Sequence, residues 1–93
     1  MSSEKHILTL YIAGKTQKAE RAIENINKYC QDHLQDGYVL EVIDLKEHPE
    51  LASREQIIAI PTLIRKLPAP MRVLVGDLSD KDKVLVGLNI KPA

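Results

Sequence analysis

Ile7-Leu8-Thr9-Leu10-Tyr11-Ile12-Ala13, closed by Gly14, is the stretch on which the fold turns. It is almost unbroken in apolar and β-favouring residues, so it reads as a strand covered on both faces, central in its sheet and paired in parallel. A parallel neighbour demands a crossover connection, and the next segment supplies a helix. From Ala19 the residues Ala22, Ile23, Ile26, Tyr29, Cys30 and Leu34 fall three and four apart, while Glu20, Glu24, Lys28, Gln31 and Asp32 occupy the other face. Thr16 is the expected N-cap and Asp36-Gly37 the expected end. Tyr38 to Leu45 is a second strand, which completes a βαβ unit.

Further along, His48-Pro49-Glu50 opens a short helix to Gln56, since proline at the first helical position gives up no needed hydrogen bond. Ile60-Pro61-Thr62-Leu63-Ile64 begins a strand at a proline, where the missing N–H is tolerated. Pro68-Ala69-Pro70 turns the chain, Met71 to Val75 is a strand bounded by Gly76, and Ser79 is the expected cap of a last helix, with Asp82 three residues on. The resulting order, βαβαββα, is one α/β domain over residues 1–93. One segment carries a conflict. Val84-Leu85-Val86-Gly87-Leu88-Asn89-Ile90 would complete the last helix, yet its β-branched residues favour a strand and Gly87 interrupts a helix. That clash marks it as a candidate switch element, and Gly87→Ala is expected to favour the helix by up to about 1 kcal/mol.

Composition narrows the function. Ninety-three residues fill a single small core, and 44% apolar against 28% charged residues is a globular balance. Thirteen basic and thirteen acidic side chains cancel, so no global field draws in nucleic acid or an anionic membrane. The single cysteine, Cys30, excludes an internal disulfide and suits a reducing cytosol. The start Met1-Ser2-Ser3-Glu4-Lys5-His6 lacks signal-peptide features, and Ile7–Ala13 is too short to span a bilayer. A cytoplasmic protein is expected.

Candidate chemistry is sparse. Gly14-Lys15-Thr16 lies between strand and helix like the end of a phosphate-binding loop, but Thr9 stands where that loop needs its first glycine. Cys30 and His33 share a helix face without the third ligand a zinc site requires. A thioredoxin-type oxidoreductase needs a thiolate at the start of its first helix, and residues 14–18 are Gly-Lys-Thr-Gln-Lys. No catalytic residue, metal or cofactor is assigned. Arg65, Lys66 and Arg72 bracket the proline turn, either as a solvated surface hairpin or as a basic patch for an acidic partner.

The thioredoxin-like order without redox cysteines, together with Leu10-Tyr11-Ile12-Ala13-Gly14, Val42-Ile43-Asp44-Leu45, Ala59-Ile60-Pro61-Thr62-Leu63, Leu67-Pro68-Ala69-Pro70 and Val75-Gly76-Asp77-Leu78-Ser79-Asp80, closely resembles the KaiB family of circadian-clock proteins. The resemblance runs from about Ile7 to Ile90. It implies a non-enzymatic regulator that binds a KaiC-like hexameric ATPase. It also implies exchange between a self-associated ground state of topology βαββααβ, dimeric or tetrameric, and a monomeric thioredoxin-like form that binds. By that resemblance the binding surface involves the first helix and second strand, with Lys15, Arg21, Glu41, Arg65 and Arg72 as candidate contacts. Pro68-Ala69-Pro70 stands where the family has three prolines, and Gly87-Leu88-Asn89 where it has Gly-Leu-Asp. Pro61, Pro68, Pro70, Gly87 and Asn89 are therefore the candidate switch positions. The competing class is a peptide- or glutathione-binding thioredoxin-like module or enzyme using Pro61 and Tyr11.

Overall fold

The computed structural model describes residues 5–35 and 37–90. Asp36 of the expected helix end, Met1 to Glu4 and Lys91 to Ala93 lie outside the described residues. The elements are β1 (His6–Ile12), α1 (Gln17–His33), β2 (Tyr38–Asp44), α2 (Glu50–Arg54), β3 (Thr62–Leu67), β4 (Arg72–Val75) and α3 (Lys81–Gly87). Their order is the βαβαββα expected from the sequence.

The strands form one sheet in the order β2-β1-β3-β4. β1 runs parallel to β2, with Thr9 beside Glu41, and antiparallel to β3, with Thr9 beside Ile64. The parallel expectation therefore holds on one side of β1 only. On one face of the sheet Leu8, Leu10 and Ile12 pack with Ala22, Ile26 and Cys30 of α1 and with Val84, Leu85 and Leu88 at α3. On the other face Tyr11 packs with Ile64 and Leu45, flanked by Leu51 and Ala52 of α2. This double cover is why β1 lacks the apolar–polar alternation of a half-exposed strand, and each buried aliphatic side chain in it contributes about 1.5–3 kcal/mol.

Helix ends depart from the sequence reading by one to three residues. Thr16 does cap α1, its Oγ1 accepting from the Ala19 N–H at 3.0 Å. The helix stops at His33, ahead of Asp36-Gly37, because Gln35 takes the left-handed conformation (φ 50°) that a glycine usually supplies. Pro49 is the N-cap of α2 rather than its first residue, and α2 ends at Arg54 before Gln56, also left-handed. Asp80, not Ser79, caps α3: its Oδ1 accepts from the Lys83 N–H, whereas the Ser79 N–H donates to Asp77 Oδ1, both at 3.1 Å.

Val84 to Gly87 is helical here, because burying Val84, Leu85 and Leu88 against the sheet outweighs the strand preference of the local residues. Gly87 has a packing reason as well. A Cβ built on it would lie 2.5 Å from Leu74 Cδ2, so the bare glycine lets β4 and α3 approach. Gly87→Ala thus meets a steric cost that helix propensity alone does not reveal. The peptide bonds before Pro61, Pro68 and Pro70 are cis. Among the described residues no helix is long and apolar enough to cross a membrane.

Candidate functional site

The topology sorts the candidate residues onto two opposite ends of the sheet. At one end lie the C-terminal ends of β1, β2 and β4, the entry to β3 and the starts of α1 and α3. Lys15, Arg21 and Pro61 belong to this end. Asp44, at the end of β2, fixes the loop that carries Lys15. Its Oδ1 accepts the main-chain N–H of Gly14 and of Lys46, each at 2.9 Å, and Gly14 adopts φ 76°, open to glycine without strain. The bond from Gly14 and then that from Lys46 hold the Asp44 carboxyl below the usual carboxylate range.

That geometry brings Lys15 and Glu41 to one cleft of about 330 Å³, which Ile12, Ile23, Asp44 and His48 also line. Both are exposed. Arg21, exposed in the second turn of α1, faces another neighbour: with Lys18 it adds to the lowering of Asp77, whose larger causes are hydrogen bonds from the Ser79 hydroxyl and N–H.

The loop between β4 and α3 is held by two α1 residues that the sequence reading had not singled out for this role. Asn25 Nδ2 donates to the Asp77 carbonyl and the Tyr29 hydroxyl to the Leu78 carbonyl, both at 2.9 Å. One helical turn separates these donors, so they point the same way. Leu78 is buried in the left-handed region (φ 63°), a conformation this grip helps to fix. Burial, then the Asp80 and Asp77 charges, raise the Tyr29 pKa, so the hydroxyl remains a donor at neutral pH. The apolar periodicity that placed Tyr29 in the core was right; its hydroxyl was the signal for the loop contact.

At the opposite end sit the Pro68-Ala69-Pro70 turn, Arg72 and the end of α3. Arg72 is exposed, but Arg65 is only 2% exposed and does not form a surface patch with it. Its Nη1 donates to the Leu88 carbonyl and its Nη2 to the Pro70 carbonyl, the latter at 2.9 Å. In this fold Arg65 is an internal tie, because its side chain points from β3 into the space between the hairpin and the end of α3. Lys66 turns outward toward Glu55 at 3.9 Å. Glu41 and Lys15 are thus brought together; Arg65 and Arg72 are remote from them.

Tyr11 and Pro61 are both buried, so the peptide-binding reading that used them has no exposed pair to work with. Cys30 is fully buried on α1, and burial pushes its thiol up to about 12. It is a packing residue.

Known proteins resemble this chain in sequence and in fold. The family model described as the KaiB domain matches residues 9–90. The chain is 44% identical over 92 residues to "Circadian clock protein KaiB3" of Synechocystis sp., covering 99% of this chain and 90% of that protein. It is also 44% identical over 85 residues to "Circadian clock oscillator protein KaiB" of Cyanothece sp., covering 91% and 81%. Among solved structures, the N-terminal domain of Synechococcus elongatus SasA superposes with a TM-score of 0.75 at 18% identity, covering 96% of this chain and 88% of that one. Mitochondrial thioredoxin 3 of Saccharomyces cerevisiae gives 0.72 at 14% identity, covering 94% and 79%. These two structures share the fold.

Proposed function

The chain belongs to the KaiB family, and we propose that it is a non-enzymatic regulator that binds a KaiC-like hexameric ATPase in the cytoplasm. The observation that carries this reading is the KaiB match over residues 9–90 in a chain whose first helix begins without a thiol. Its relatives being circadian-clock proteins supports a clock-regulatory role. The proposed contact surface is the start of α1 with the β2 side of the sheet, where Lys15 and Glu41 share a cleft and Arg21 stands in the second turn of α1. Arg72, at the other end, is a separate candidate contact. Exchange between this fold and a self-associated one, with Pro61, Pro68, Pro70, Gly87 and Asn89 as the switch positions, belongs to the same proposal.

The test is comigration with the cognate ATPase hexamer on size exclusion, in ATP and in ADP and after long incubation. Lys15→Glu and Glu41→Lys should each weaken the complex several-fold while leaving the free protein folded. Absence of a complex in every nucleotide state would leave only shared fold, which does not by itself carry function.

A further inference from the structure

The segment that joins α2 to β3 carries an apolar tip. Along Ile57-Ile58-Ala59-Ile60 exposure alternates: Ile57 and Ala59 are half-buried, whereas Ile58 is 96% exposed and Ile60 37%. A single aliphatic side chain in water means nothing by itself; the setting of this one gives it meaning. Both of its neighbours are tied down. The Ile57 N–H donates to the Ala52 carbonyl of α2 at 2.8 Å, and the hydroxyl of buried Thr62 donates to the Ala59 carbonyl at 2.5 Å. The Ile57 side chain packs against the cluster of Tyr11, Leu45 and Ile64. Ile58 is therefore held out in water by a fixed backbone, and a side chain presented in one place loses little freedom when a partner covers it.

The tip also adjoins the cleft. The start of β3 lies at the same end of the sheet as the C-terminal ends of β1 and β2. Ile43, which lines the cleft with Lys15 and Glu41, packs against the same cluster as Ile57, so an apolar seam runs from the cleft to the tip. We infer that Ile58 is the apolar anchor of the partner-binding surface, entering an aliphatic socket on the ATPase while Lys15 and Glu41 set the orientation beside it. This rests on the reading that the chain binds a KaiC-like ATPase, and it adds the chemistry that reading lacks. The surface extends past the first helix and second strand to the α2–β3 loop, and the partner presents a pocket there in place of a charged plane.

The experiment measures the Kd of the complex with the immobilised ATPase hexamer, brought to equilibrium in ATP and in ADP. Ile58→Ala should weaken binding about tenfold and Ile58→Asp further, while Ile58→Leu, which keeps the volume, should stay within about twofold of the wild type. Val86→Ala trims another bare aliphatic, 79% exposed on α3, and should leave the Kd unchanged. The Ile58 variants should melt with the wild type, because so exposed a side chain supports little of the fold. A wild-type complex that tolerates Ile58→Asp, or one that Val86→Ala weakens as much as Ile58→Ala does, overturns the anchor and leaves the ATPase reading standing; a wild type that forms no complex removes both. If Ile58→Asp leaves the ATPase affinity unaltered and instead changes the sedimentation of the free protein or its flotation with anionic vesicles, the tip belongs to a second copy or to a lipid surface, and the inference is overturned.

Discussion

The guanidinium of Arg65 donates to the main-chain carbonyl of Leu88, which caps the C-terminal end of α3. The same side chain reaches the Pro70 carbonyl at 2.9 Å, so one buried cation joins β3, the proline turn and the last helix. No salt bridge to a carboxylate is found for it among the described residues. Burial, with Arg72 as the lesser cause, lowers its pKa. The charge is thus held by carbonyl dipoles, one at the negative end of a helix.

Arg65→Met removes the donors and leaves two carbonyls short of partners, at about 1–3 kcal/mol for each that stays buried, offset in part by relief of the cation's desolvation. We expect a net loss of about 2 kcal/mol in denaturant melts. Amide exchange at Leu88 and Ile90 should accelerate more than exchange in β1. Equal protection in the two proteins would show that the tie carries no net stability.

Gly87→Ala tests propensity against packing. The helix gain of up to about 1 kcal/mol is opposed by a Cβ only 2.5 Å from Leu74 Cδ2, so the substitution alone should stabilise the protein by less than that. In a Leu74→Ala background the obstruction is gone and the full gain should appear. The double-mutant cycle on thermal or chemical melts reads this coupling directly; additive effects would refute it.

Acid should loosen the two carboxylate-fixed loops. The Asp44 and Asp77 pKa values are lowered in the folded protein, chiefly by hydrogen bonds from Gly14 and from Ser79 respectively. Such groups contribute stability that is complete above the unfolded value, about 4, and is lost as pH falls through the lower folded value. The Tm should therefore drop on acidification below pH ~4. Asp44→Asn with Asp77→Asn should show a lower Tm at neutral pH and a flatter acid limb.

Cys30 should be chemically silent. With the thiol buried and its pKa pushed up to about 12, a thiol reagent at neutral pH should label the native protein only at the rate of unfolding, and fully once denatured. Insulin reduction should run at the uncatalysed rate, and Cys30→Ser should still bind the proposed ATPase. Fast labelling of the native state would contradict the burial.

The element order was readable because its signals are local or periodic: the continuous Ile7–Ala13 run, the three-four spacing on α1, and the prolines at 61, 68 and 70. The α1 N-cap at Thr16 was readable for the same reason. What escaped is tertiary. Nothing around Arg65 in sequence distinguishes an inward arginine from the outward Lys66 beside it, since the acceptor at Leu88 lies 23 residues away. Likewise the cap shifted from Ser79 to Asp80 because Asn25 and Tyr29 fix the preceding loop from across the fold. The resemblance already put Lys15 and Glu41 on one expected surface with Arg21, Arg65 and Arg72, but which of these share a cleft follows only from the parallel pairing of β1 with β2 and the loop that Asp44 fixes.

Asn25, Tyr29 and Arg65 all grip the C-terminal segment by its carbonyl oxygens, at Asp77, Leu78 and Leu88. Every amino acid carries a carbonyl, so such a grip does not inspect which residue it holds. A substitution at Asp77, Leu78 or Leu88 therefore leaves in place the carbonyl that is held, while a single change at Asn25, Tyr29 or Arg65 deletes a donor outright. Three letters of the text thus hold the segment's place without reading what it spells, while Val84, Leu85 and Leu88 add their own burial against the sheet.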